Sequence, residues 1–269
     1  MTHKPRRRRL ALLLSALLLA GGGAVTARAD APPVDGYVAL GDSYSSGLGA
    51  GHYDDGSGEC KRSSSSYPAL WAAAHRGRKF AFTACSGATT KDVVASQLRP
   101  LDRRTALISI TAGANDAGFG EVMETCALGG ENACQTRVAE ARTYIQRTLP
   151  HDLDAMYGAI RGKAPAARVV VLGYPRLFAR HGSCLLGMSE TRRAAIDEAA
   201  DVLDAVMAKR AAGHGFAFAD VRGRFTGHEI CSEAPWIRSA TFPVGESYHP
   251  TAVGHAQGYL PAFTGTARM

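Results

Sequence analysis

YVALGDSYSSGLG, residues 37–49, places a serine just beyond a short apolar run and follows it with two glycines. Alone, a Gly-Asp-Ser triplet is more often a polar turn than a nucleophile, so the rest of the chain must decide. Apolar runs rich in β-formers recur at 80–83, 106–111, 168–172 and 216–220. They are continuous rather than alternating, which predicts strands buried on both faces, as in a parallel sheet. Helical stretches lie between them. Residues 67–76 open with Pro68 in the first turn, 131–157 are interrupted at Pro150, and 190–212 run from Ser189 as N-cap to Gly213 as stop. Strands alternating with helices predict an α/β fold with an open, doubly wound, five-stranded parallel sheet of flavodoxin-like order. Ligands of such sheets lie at the carboxyl ends of the strands, so the polar residues that follow each strand carry the functional question.

Residues 1–29 read as a signal peptide. Lys4 and Arg6 to Arg9 precede an uncharged stretch at 10–27, and Ala27-Arg28-Ala29 forms a small-x-small cleavage site before Asp30. The uncharged stretch has the length of a membrane span, but glycines at 21–23 and the cleavage site favour removal over a stable membrane anchor. Ala29-Asp30-Ala31 is a second, weaker cleavage site, and the paired arginines leave twin-arginine export open beside the general secretory route. Residues 30–269, with no repeat and no break in composition, read as one secreted domain large enough for a well-buried core.

The whole chain carries 31 basic and 24 acidic side chains, a net charge of +7. Removing residues 1–29 takes away six basic groups and no acidic one, leaving 25 against 24 and a net charge of +1. No basic run with interleaved aromatics survives to suggest nucleic acid as a partner. Cys60, Cys85, Cys126, Cys134, Cys184 and Cys231 all lie in the exported part, where three disulfides are expected. Fifteen connectivities are open; sequential pairing closes the shortest loops. There is no Cys-x-x-Cys and no His-x-x-x-His, so no metal site is expected.

Gly41-Asp42-Ser43 follows the first strand, Cys85-Ser86-Gly87 the second and Gly113-Ala114-Asn115-Asp116 the third, while Glu246-Ser247-Tyr248-His249-Pro250 stands near the C-terminus. The α/β arrangement brings the first three to one sheet edge. Together they offer what acyl transfer needs: a hydroxyl, donors for a developing oxyanion and an imidazole to carry a proton. Gly87 presents an unobstructed amide and Asn115 a side-chain NH₂. Asp42 reads as helping to form the Ser43 turn, and Asp116 as structural support for the loop after the third strand. The next glycine after Ser43 is Gly47, so this is not the Gly-x-Ser-x-Gly elbow of α/β-hydrolases, and glycines 47–51 lack the spacing of a phosphate loop.

In order and context, GDSYSSG, CSGATT, GAND and SYHP resemble the four blocks of the SGNH, or GDSL-type, hydrolases. The likeness is greatest to the secreted actinomycete lipases and phospholipases A1 of that family. It runs almost end to end, through CKRSSSSYPALWAA, VVVLGYPR, the six cysteines and SYHPTA. The resemblance implies a three-layer α/β/α fold, no metal or organic cofactor, and activity on carboxylic esters. It implies Ser43 as nucleophile, His249 as general base and then acid, and the Ser43 and Gly87 amides with the Asn115 side chain as oxyanion hole. Many members carry Asp three residues before the histidine; this chain has Glu246. In some close secreted relatives a backbone carbonyl two residues before the histidine takes that role, which maps onto Ser247. Both orienting groups stay open.

Trp71, Phe119, Met123, Leu185, Leu186 and Trp236 are candidates to line an acyl groove, and equally ordinary core. Tyr44 and residues 48–59 follow the nucleophile and are candidates to cover the site. A monomer acting on a lipid or other ester is the leading reading. A carbohydrate O-deacetylase of the same fold is the rival enzyme, and a secreted non-enzymatic binding module with a degenerate site is the rival from another class.

Overall fold

Strand β1 (Gly36–Gly41), helix α1 (Ser43–Ser46), α2 (Tyr67–Ala74), β2 (Lys79–Phe82), α3 (Thr90–Asp92), β3 (Thr105–Thr111), α4 (Phe119–Leu128), α5 (Glu131–Arg147), α6 (Leu149–Lys163), β4 (Arg168–Leu172), α7 (Glu190–Gly213), β5 (Ala217–Ala219), α8 (Arg222–Phe225) and α9 (Leu260–Ala267) follow one another along the chain. They come from a computed structural model that describes residues 1–2, 36–180 and 188–268. All belong to the unit Pro33–Met269. The signal-peptide reading, apart from Met1 and Thr2, and the readings of Cys184, Leu185 and Leu186 lie outside the described residues.

The five strands run in the order β2-β1-β3-β4-β5, and every neighbouring pair is parallel. This is the flavodoxin-like order, whose reversal point lies between β1 and β3. Helices α2 and α9 pack together on the sheet, while α7 packs on β4, β5 and its neighbours α5 and α6, giving three layers. Continuity of apolar residues is the reason: β1, β3 and β4 are buried along nearly their whole lengths, so both faces must be covered. On one face Tyr37 stacks on Phe80 and Phe263 and meets Trp71 edge-on, and its hydroxyl lies 2.8 Å from Ser109 Oγ within the sheet.

Burial on both faces fails at the sheet edges. In β2, Lys79 and Phe80 are exposed, and β5 is only partly covered. Only the central strands are flanked by helices on both sides and by strands on both edges. The expected interruption at Pro150 also falls differently. The chain breaks at Thr148, and Pro150 sits in the first turn of α6, which runs on to Lys163. Proline lacks an N–H that the first turn does not need, so it starts this helix rather than ending it. Ser189 caps α7 as expected, accepting the Arg192 N–H at 3.3 Å, whereas Gly213 is the last helical residue and His214 the cap. Helix α4 is an addition to the expected elements; Gly118, at φ +74°, caps its N-terminus and Gly120 is its second residue.

Two disulfides join described residues, Cys60 to Cys85 and Cys126 to Cys134, both as sequential pairing expects. Cys231 is disulfide-bonded as well. The Cys60–Cys85 bridge spans 25 residues and the Cys126–Cys134 bridge 8. Chain entropy then predicts that replacing both cysteines of the longer loop by serine lowers unfolding free energy by about 3 kcal/mol, and roughly 1 kcal/mol more than the same change in the shorter loop. Denaturant titration of the two double variants measures both figures.

Candidate active site

Gly41, the last residue of β1, has φ +119°, and a Cβ there would stand 2.2 Å from the Thr111 carbonyl oxygen. Only glycine lets the ends of β1 and β3 meet this closely. Asp42 then donates its N–H to Thr111 O at 2.9 Å and caps the single turn of α1. Its Oδ1 accepts the Tyr44 N–H at 3.0 Å and the Thr111 hydroxyl at 2.6 Å, and its Oδ2 accepts the Tyr174 hydroxyl. Burial raises the Asp42 carboxyl to about 6, against the lowering effect of these hydrogen bonds. Ser43 is thereby held at the first position of a helix, where amide N–H groups lack intrahelical partners. Among the described residues its own N–H has none.

The second block stands beside the first. Gly87 has φ +78°, and a Cβ there would meet nothing within 4 Å, so backbone conformation rather than crowding demands glycine. The Cys60–Cys85 bridge and the Ser86 N–H to Cys60 O bond of 3.1 Å tether this loop. From the end of β3, Asn115 Nδ2 donates to Ala88 O at 3.0 Å, which leaves its second N–H unused. Asp116 accepts the Thr90 N–H at 3.0 and 3.1 Å and the Thr90 hydroxyl at 2.6 Å. Consecutive residues therefore staple the Gly87 loop to the Asn115 loop, and Asp116 has the structural part expected of it, holding the loop after β3.

His249 meets Ser43 across the sheet edge. Its Nε2 lies 2.8 Å from Ser43 Oγ and its Nδ1 lies 2.8 Å from the Ser247 carbonyl oxygen. A carbonyl can only accept, so Nδ1 carries the proton and the Nε2 lone pair faces the Ser43 hydroxyl. Tyr248, between them, adopts φ +64°, which folds the chain so that the Ser247 carbonyl reaches the ring two residues on. That conformation is held from both sides: Tyr248 N–H donates to Arg238 O, Arg238 N–H to His249 O, both at 2.9 Å, and the Tyr44 hydroxyl to Tyr248 O at 2.7 Å. The Tyr44 ring lies 5.2 Å from the imidazole and Phe119 stands edge-on at 6.2 Å. Burial pushes the His249 pKa down to about 4, with the Ser247 carbonyl opposing it. The ring is neutral, and able to accept a proton, at neutral pH.

The Glu246 carboxylate goes elsewhere. It accepts the Tyr53 hydroxyl at 2.8 Å and lies 3.4 Å from Arg238 Nε. Tyr53 in turn accepts the Gly49 N–H at 2.9 Å, and Arg238 Nε donates to Gly49 O at 2.6 Å. This network pins the start of the 48–59 segment to the histidine loop. Tyr53 and Arg238 carry no signal in the sequence that separates them from ordinary surface or core residues, and Tyr174 is marked only by its place in VVVLGYPR.

Ser43, Gly87, Asn115, Ser247 and His249 share one groove of about 800 Å³, walled by Leu48, Phe119, Met123, Ala127, Leu128 and Val244. Of the groove candidates, Phe119 and Met123 belong there. Trp71 and Trp236 do not: Trp71 packs in the core on Tyr37 and Phe263, and Trp236 stacks on His228.

The model of the GDSL-like lipase/acylhydrolase family matches residues 39–257. The chain belongs to this family. As a GDSL-type chain it is a carboxylic ester hydrolase of the lipase/esterase class. It is 62% identical to a lipase of Streptomyces rimosus over 238 residues, 88% of this chain and 89% of the relative. The solved extracellular lipase of S. rimosus superposes with a TM-score of 0.85, covering 86% of this chain and 99% of that one. A solved phospholipase A1 from Streptomyces albidoflavus is 52% identical with the same TM-score, covering 87% and 99%.

Because its carboxylate serves Tyr53 and Arg238, Glu246→Gln should leave kcat on a dissolved ester within a few-fold of the parent. Steady-state kinetics decides this, since removing a triad carboxylate that orients the imidazole lowers kcat by roughly 10⁴.

Proposed function

We propose that the chain is an exported, monomeric hydrolase of lipid esters in which Ser43 is the nucleophile and His249 the general base. The observation that carries this reading is the 2.8 Å contact of Ser43 Oγ with His249 Nε2, in a ring whose other nitrogen is committed to a carbonyl. In the first half-reaction Ser43 Oγ attacks the ester carbonyl carbon while its proton passes to Nε2. The carbonyl oxygen gains negative charge, and the Ser43 and Gly87 amides and the second Asn115 N–H receive it. Collapse of the tetrahedral adduct breaks the ester C–O bond, and the leaving alkoxide takes the proton from Nε2. Water repeats the sequence on the acyl-enzyme, releasing the acid and restoring Ser43. Ser247 is a positioning residue, acting through the tautomer of His249.

Lipid is favoured over sugar by the walls of the groove. A second cavity, lined by Tyr44, Phe119, Val122, Ile145 and Leu203 among other apolar residues, lies behind Phe119. A sugar offers hydroxyls that such walls leave unpaired, whereas an acyl chain loses only water contact there. The S. rimosus and S. albidoflavus relatives, a lipase and a phospholipase A1, support the same class. Nothing in the Ser43–His249 pair is degenerate, which counts against a binding module. Export is supported by the basic-then-apolar N-terminus and by bridged cysteines, which persist in oxidising compartments. Among the described residues no helix is long and apolar enough to cross a membrane.

Nitrophenyl esters from acetate to palmitate test the reading: rates should peak at medium or long chains and vanish in Ser43→Ala, whereas activity confined to acetate would point to a deacetylase. Asn115→Ala should lower kcat by about 10²–10³ with little change in KM. The neutral imidazole is the active form, so activity is present above the His249 pKa and lost as pH falls through it. The acid limb of kcat/KM should therefore fall near pH 4 rather than near the ordinary histidine value of about 6.5.

A further inference from the structure

Two large apolar side chains of the groove lining, and a third next in sequence to it, stand almost fully in solvent. Phe242 is 89% exposed, Leu128 82% and Val244 75%, more than any other large apolar residue described except Met1. They come from segments far apart in sequence, the last residue of α4 and the loop before His249. Leu128 and Val244 line the groove that holds Ser43, and Phe242 follows Thr241, another of its lining residues. Single exposed apolar residues need no explanation, but a cluster at the mouth of a binding groove marks a contact surface.

The loop that carries two of them is a built one. Thr241 N–H donates to Ser247 Oγ at 2.9 Å, Glu246 N–H to Pro243 O at 2.9 Å and Ser247 N–H to Val244 O at 3.0 Å. Phe242 and Val244 thus project from the same short, internally bonded turn whose last residue supplies the carbonyl for His249. The rim is also uncharged: residues 239–245 and 125–130 contain no ionisable side chain other than the bridged Cys126. The acidic or basic groups lining the groove, apart from His249, are Glu121 and Glu124, so no cation there would draw an anionic head group.

We propose that Phe242, Leu128 and Val244 seat the mouth of the groove on a lipid surface without net charge, so that an ester passes from the aggregate to Ser43 without crossing bulk water. The proposal deepens the lipid-ester reading and rests on it. Its occupant follows from the continuity of the rim with the groove: an apolar collar around an acyl site is buried when the collar meets the phase that supplies the acyl chain. Immersion of one phenylalanine ring is large enough that losing it should weaken partition by roughly ten-fold or more.

The test uses phosphatidylcholine vesicles, with binding measured by co-sedimentation and turnover measured separately. Phe242→Ser should reduce both vesicle binding and hydrolysis of vesicle lipid by about ten-fold, and leave hydrolysis of dissolved nitrophenyl acetate unchanged. Phe242→Trp should restore binding. Unchanged vesicle binding in Phe242→Ser would overturn the proposal, as would parent binding that requires phosphatidylglycerol and is abolished by salt. Binding by co-sedimentation needs no turnover. A protein that binds vesicles through Phe242 yet hydrolyses no ester would therefore refute the hydrolase reading and leave the docking surface standing.

Discussion

The buried carboxylate of Asp42 is the knot at the carboxyl edge of the sheet. It takes hydrogen bonds from Tyr44 in α1, from Thr111 at the end of β3 and from Tyr174 just beyond β4. Tyr174 passes the connection on, its N–H donating to Asp204 of α7 at 2.8 Å. A carboxylate buried without such donors is strongly disfavoured, and removing any one leaves charge under-solvated in a low-dielectric setting. The arrangement is therefore cooperative: the strand ends must be in register for the charge to be satisfied. Ser43, one residue from this carboxylate and first in its helix, inherits the rigidity of the central strands rather than the mobility of a surface loop. A charge at the N-terminus of α1 is also favourably placed with respect to the exposed amides of that turn.

Two neighbouring residues, Glu246 and Ser247, hold the histidine loop through different partners. The Ser247 carbonyl fixes which imidazole nitrogen carries the proton. The Glu246 carboxylate, with Arg238 and Tyr53, locks Gly49 and the histidine loop together. Tautomer control needs only an acceptor on Nδ1, and a backbone carbonyl supplies one that no side-chain rotamer can withdraw. The positive φ of Tyr248 is the conformational cost of that solution, and three hydrogen bonds around the turn hold it in place.

Much of this is legible in the amino-acid sequence alone, for identifiable reasons. Strand β4 matches the run 168–172 residue for residue, because a central parallel strand is apolar on both faces and this run opens at Arg168 and stops at Gly173. The serine, glycine and asparagine blocks can be grouped because a parallel sheet brings the residues after its strands to one edge, whereas the histidine block follows no strand and joins them only through the family resemblance. Where the sequence falls short, a non-local partner decides the outcome. Whether Glu246 turns toward His249 depends on Tyr53 and Arg238, which are distant from it in the chain or undistinguished within it. Helix α4 contains Gly120 and follows Gly118, so local propensity opposes it, and packing against α5 overrides that preference. The exposure of Phe242 cannot be read from its type, since phenylalanine is usually core.

Burying an imidazole without a carboxylate has an energetic consequence for the proposed acyl transfer. Lowering the His249 pKa from about 6.5 to about 4 means that protonation of the isolated ring is disfavoured by on the order of 3 kcal/mol. That penalty applies in full to a proton arriving from solvent, where no compensating charge is created inside the site. It does not apply in full to the proton of Ser43. When Ser43 attacks, imidazolium and oxyanion form together in the same groove, and their mutual attraction is strongest where water is excluded. Burial thus raises the energy of the unproductive protonated resting state more than that of the charge-separated transition state. A buried dyad held by a carbonyl stays unprotonated across a wide pH range and becomes charged mainly when the counter-charge needed for catalysis appears beside it.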